Sequence, residues 1–151
     1  MTSPTLEARI ADDLATAMKA GDDDARRTLR LLRAALQNAR IEGRGTLDED
    51  GVVAILARQA KQRREAMAEY ARGGREDLVA REAAELAIIE GYLPKPLDEE
   101  ELAAAVRAQI AAVGATGPAD MGRVMGPLMK ELAGRADGEA VSALVRRLLQ
   151  G

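Results

Sequence analysis

Cysteine, histidine, tryptophan and phenylalanine are all absent from this 151-residue chain, and two tyrosines are its only aromatic residues. Each absence closes a class of function. Without cysteine there is no disulfide framework and no thiolate chemistry. Without histidine the commonest general base and the commonest metal ligand are both missing. Serine is confined to Ser3 and Ser142. The first is expected in a helix cap and the second in a helix with no base three or four residues away, so a hydrolase or transferase with its own nucleophile is not expected. Runs of β-branched and aromatic residues with period two are also lacking, which points to an all-α protein. Nowhere do about 18 apolar residues run together, and no N-terminal stretch resembles a signal peptide, so a soluble, cytoplasmic protein without membrane association is expected.

What is present is helix-forming. Apolar residues make up 47% of the chain, chiefly alanine and leucine, and a chain of this length buries roughly 68–70% of its unfolded surface. Carboxylates are abundant, and paired Asp/Glu can perform acid/base work without histidine. However, Asp22-Asp23-Asp24, Asp48-Glu49-Asp50 and Asp98-Glu99-Glu100-Glu101 all stand where a helix begins. Side-chain caps and the helix dipole favour negative charge there. No catalytic residue, metal site or cofactor is predicted.

Periodicity and breakers predict helices in two groups. Ser3-Pro4 opens the first, with Leu6, Ile10, Leu14 and Met18 at helical spacing, and Gly21 ends it. A second runs from the Asp22–Asp24 cluster to about Ile41, and a third from near Asp48 to about Arg72. A fourth, from about Arg75 to Glu90, presents Val79, Ala83, Leu86 and Ile89. Pro94-Lys95-Pro96 cannot continue a helix and is read as a hinge between a four-helix domain, residues 1–93, and a smaller three-helix domain, residues 97–151. Asp98 with Glu101 forms a capping box for helix five. Helix six spans Pro118 to Ala133, and helix seven follows Asp137 with Val141, Leu144, Val145, Leu148 and Leu149 on one stripe.

Helix six carries the sharpest functional pattern. At about 100° per residue, Met121, Val124, Met125, Leu128, Met129 and Leu132 share one side, while Gly122, Arg123, Gly126 and Lys130 fall on the other. The methionines read as core filler. Alternating cations with residues that have no side chain lets a backbone approach closely between two positive charges; close helix packing accounts equally well for the glycine pair. Pro127 is expected to kink or break this helix. A second basic feature lies in the first domain, where Arg26, Arg30, Arg33, Arg40 and Arg44 form a stripe and Arg58, Lys61, Arg63 and Arg64 follow. Between Ala25 and Arg72 there are 11 Lys/Arg against 6 Asp/Glu, a net of +5 in a chain of net charge −3. This second surface is either an anionic-partner site or a set of arginines covering core edges and pairing with neighbouring acids.

The stretch Met121-Gly-Arg-Val-Met-Gly-Pro-Leu-Met-Lys130, then Gly134-Arg-Ala-Asp-Gly138 and Val141 to Leu149, resembles the GatB/YqeY family. Arg30-Leu-Leu-Arg-Ala-Ala-Leu36, Lys61-Gln-Arg-Arg64 and Glu90-Gly-Tyr-Leu-Pro94 resemble its stand-alone YqeY-like members, and the likeness spans essentially the whole chain. The resemblance implies four N-terminal and three C-terminal helices. It also implies kinship with the tail of the amidotransferase subunit GatB, which contacts tRNA beside a catalytic module that this chain does not carry. On that basis the expected function is a non-catalytic tRNA-binding accessory module using Gly122, Arg123, Gly126, Lys130, Arg135, Arg146 and Arg147. With so few aromatics, recognition would rest on shape and phosphate or ribose contacts. The alternatives are an adaptor docking on an amidotransferase or aminoacyl-tRNA synthetase, or a subunit associated with carbon–nitrogen ligase activity that uses glutamine as amide donor. No glycine-rich ATP loop supports the last as an autonomous activity.

Overall fold

Local chemistry acts most directly at the helix starts. In the computed structural model, which describes residues 3–150, Thr5, Asp22, Asp48 and Asp98 each accept from the backbone N–H three residues on, at 3.1, 3.1, 2.8 and 2.7 Å. These caps open α1 (Leu6–Ala20), α2 (Asp23–Glu42), α3 (Glu49–Arg72) and α5 (Glu99–Val113). The acidic runs are thus engaged by backbone donors that a helix start leaves without partners. Asp98 and Glu101 form the reciprocal capping box. The first helix is capped by Thr5, not by Ser3-Pro4, because Thr5 has the extended backbone that aims its hydroxyl at Ala8. The other helices are α4 (Glu76–Glu90), α6 (Met121–Glu131) and α7 (Gly138–Gln150), and no strand occurs among the described residues.

The chain divides into two compact units, Met1–Leu93 and Pro94–Gly151. In the first, α1 packs on α2 and α3 on α4. Ile10, Leu14, Leu29, Leu32, Leu36, Val52, Leu56 and Ile89 form its core, with Tyr92 sealing one side. Each fully buried leucine or isoleucine here contributes about 1.5–3 kcal/mol relative to exposure. Two expected core positions shift. Met18 is 51% exposed and Ala17 takes its place in the core. On α4 the buried residues are Glu85 and Ile89, so the apolar register there is interrupted by a carboxylate.

The second unit packs α5, α6 and α7 around Val106, Val124, Leu128, Leu132, Val141, Val145 and Leu149. Met121, Met125 and Met129 are partly buried against this cluster. Pro118–Asp120 forms a 3₁₀ turn, and α6 proper begins only at Met121. Pro127 does not break the helix, which continues to Glu131. The lost N–H and the ring's approach to the carbonyl of Arg123 are not enough to end the helix at this point.

Candidate functional site

The start of α6 is held by a small polar cluster. The Asp120 carboxylate accepts from the Thr116 backbone N–H at 3.0 Å and from the Arg123 guanidinium at 3.2 Å. These two donors, the backbone N–H foremost, hold the Asp120 carboxyl below the usual carboxylate range. Arg123 also donates to the Val113 carbonyl, closing the loop between α5 and α6. Its side chain nevertheless stays 60% exposed, so it positions the loop while still presenting charge to solvent.

Along α6, Gly122, Arg123, Gly126 and Lys130 are exposed and fall within an arc of roughly 100°. A Cβ built on Gly122 or Gly126 would meet nothing within 4 Å, which removes close helix packing as the reason for either glycine. Gly126 has a local reason, since it precedes Pro127 and a Cβ there would crowd the proline ring. Gly122 has none. Gly122 stands in the first turn of α6, where glycine costs less than the roughly 1 kcal/mol of a helix interior but still has no packing reason to be preferred over alanine. The result is a strip of bare backbone alongside Arg123 and Lys130, and next to it Pro127 removes the donor that the Arg123 carbonyl would otherwise meet.

The remaining residues of the expected interface do not join this strip. Arg135 faces the interdomain segment: its Nε donates to the Lys95 carbonyl at 3.2 Å, and its own carbonyl accepts from Leu97 N–H at 2.9 Å. Arg146 and Arg147 are exposed on α7, where consecutive residues diverge by about 100°. Lys95, exposed and brought to the end of α6 by Arg135, is a nearby cation that the sequence reading missed. Only tertiary contact with Arg135 reveals it.

In the first unit the basic stripe separates into different roles. Arg26 pairs with Asp23 at 3.1 Å and Arg40 with Glu7 of α1. Arg63 turns inward with a side chain only 12% exposed, 3.3 Å from buried Glu85, and donates to Gln59 at 2.6 Å; its charge belongs to the interior and not to a basic surface. Lys61 is half-buried and engaged. Arg58 and Arg64 are exposed on α3, and Arg30 and Arg33 on α2. Arg44 lies past the end of α2 with φ of 60°. Arg27, absent from the expected surface, approaches Glu85 at 4.0 Å from the other side. Among the described residues, no group of His, Cys, Asp or Glu could hold a metal ion, and no helix is long and apolar enough to cross a membrane.

Comparison with known proteins supplies the remaining context. A family model described as Yqey-like protein matches residues 7–149. Several curated relatives carry the name "Altered inheritance of mitochondria protein 41, mitochondrial". That of Pyrenophora tritici-repentis is 28% identical over 144 residues, covering 93% of this chain and 79% of the relative. That of Eremothecium gossypii is 37% identical over 100 residues, covering 64% and 55%, and that of Lachancea thermotolerans is 36% identical over 87 residues, covering 57% and 46%. In the last two matches the chain thus spans about half the relative's length. The mitochondrial naming overturns the expectation of a cytoplasmic location. That expectation followed from composition and from the lack of long apolar runs, neither of which encodes a compartment.

Proposed function

This chain belongs to the YqeY-like protein family, and from that membership we propose that it is a non-catalytic RNA-binding module that takes tRNA on the exposed strip of α6. The observation that carries the reading is the open space over Gly122 and Gly126 beside Arg123 and Lys130. Two glycines exposed in one short helix lower its stability, and no neighbouring element packs against either of them. They do allow a ribose–phosphate backbone to lie against the helix between two cations. With no aromatic side chain in the second unit, base stacking is not available. Phosphate and ribose contacts therefore dominate, with Lys95, Arg135, Arg146 and Arg147 as flanking charge. The chain's net charge of −3 makes the attraction local, so moderate affinity and strong salt dependence are expected.

A fluorescence titration of total tRNA at two salt concentrations tests this. Gly122→Leu should block close approach, since its side chain enters open space with no proline after it, and Lys130→Ala should lower the log–log salt slope by about 0.7–0.9 for the lost phosphate contact. Arg123→Ala is less clean, because it also releases the loop held through Asp120 and Val113. Absence of saturable tRNA binding by the unaltered protein would overturn the proposal. It would leave the adaptor role on an amidotransferase or aminoacyl-tRNA synthetase, in which any carbon–nitrogen ligase chemistry belongs to the partner.

A further inference from the structure

The outward side of α2 combines exposed apolar residues with cations that have no internal role. Leu31 is 46% and Ile41 68% exposed. At about 100° per residue they share one broad arc with Arg30, Arg33 and Ala34, all of them exposed. Elsewhere on this helix Arg26, Arg27 and Arg40 have acids within reach. Among the described residues, Arg30 and Arg33 have no hydrogen-bond or ion-pair partner. Asp23, Arg26, Arg27, Arg30 and Leu31 line a shallow concavity at the first half of the helix.

We propose that this side of α2 is a docking surface for an acidic amphipathic helix of a partner protein. Arg30 and Arg33 are three residues apart, the spacing at which another helix presents Glu or Asp on one face, and Arg26, paired with Asp23, lies one turn before them. Leu31, Ala34 and Ile41 offer the apolar strip that such a helix needs for its hydrophobic side. From Arg26 to Ile41 the surface runs about 22 Å, or four helical turns. An RNA backbone fits it less well. It would gain nothing by covering Leu31 and Ile41, and the Asp23 carboxylate inside the concavity repels a continuous row of phosphates, whereas a helix can place an uncharged residue there. The proposal does not rest on the α6 strip, which belongs to the other unit.

Fluorescence anisotropy on the full chain tests it. The probe is a synthetic, helix-stapled peptide of about 15 residues, or four turns, with leucine and glutamate on adjoining faces; controls are the same peptide with lysine for glutamate, and total tRNA. The acidic peptide should saturate the protein in the micromolar range and the lysine peptide should not. Leu31→Ser combined with Ile41→Ser should weaken binding at least about tenfold, which corresponds to about 1.4 kcal/mol. Arg30→Glu combined with Arg33→Glu should abolish binding of the acidic peptide and create binding of the lysine peptide, a gain that misfolding could not produce. Three results would overturn the proposal: no saturation by the acidic peptide below about 1 mM, equal binding by the substituted proteins, or tRNA binding that is lost with Arg30 and Arg33 while the acidic peptide fails to compete.

Discussion

The hydroxyl of Tyr92 donates to the carboxylate of Asp13, 79 residues earlier in the chain. The Arg9 guanidinium lies 5.3 Å from the centre of the same ring. Arg9 and Asp13 are one helical turn apart on α1, so they flank the ring that follows the end of α4. The tyrosine of the Glu90-Gly91-Tyr92-Leu93-Pro94 stretch is thereby a latch, closing the first unit just before the chain passes to the second.

Tyr92→Phe should destabilise the first unit by about 1–2 kcal/mol, because the Asp13 carboxylate loses its buried donor while the ring and its contact with Arg9 remain. The pH dependence has a definite sign. Burial, and then the Asp13 carboxylate, push the phenol's pKa above its ordinary value of 10.0. Its contribution is therefore fully present below pH 10 and fades as the pH rises above that, where the unfolded chain releases the proton and the folded one holds it. Urea melts of both proteins at pH 8 and pH 10.5 should show the stability gap narrowing at the higher pH. A constant gap would mean the hydroxyl is not engaged in solution.

Glu85 lies between Arg63 and Arg27 with its side chain 10% exposed. Glu85→Ala leaves Arg63 buried and without its counter-charge, and should cost about 3 kcal/mol or more. Arg63→Met with Glu85→Leu should recover most of that loss, since an apolar pair of similar volume replaces a buried ion pair at little cost. If the single and double variants unfold at the same urea concentration, the two charges are not coupled.

Gly122→Ala should raise the melting temperature of the second unit. Its Cβ enters open space, and the first turn of the helix gains a fraction of the interior glycine-to-alanine difference of about 1 kcal/mol. Under the proposed function the same variant binds tRNA more weakly, because the methyl group stands where the backbone would approach. Greater stability with unchanged tRNA binding would remove Gly122 from the interface.

A chain ending at Leu93 should fold cooperatively by itself, as the whole first core lies within it. A chain ending at Gly91 lacks the Tyr92 latch and should melt at lower temperature. Circular dichroism on the two fragments checks this, and loss of helicity in the longer one would show that the first unit depends on the second.

Interactions that act over three or four residues were legible before any fold was known. The caps at Asp22, Asp48 and Asp98, the capping box with Glu101 and the apolar stripes of α6 and α7 are written in spacing, because each depends only on helical geometry and on donors within one turn. The want of histidine and cysteine likewise bounds the chemistry without a structure. Charge on a long side chain is different, since its fate depends on what another element places opposite. Arg63 and Arg30 read alike as basic residues, yet α4 brings Glu85 to Arg63 while no acid among the described residues pairs with Arg30. Met18 and Ala17 are neighbours of which either could turn inward, and the way α1 is rotated in its packing puts Ala17 in phase with Ile10 and Leu14. The openness above Gly122 and Gly126, the turning of Arg135 toward Lys95 and the Tyr92–Asp13 latch were decided by tertiary packing alone. Each joins or separates residues across distances along the chain over which local spacing carries no information.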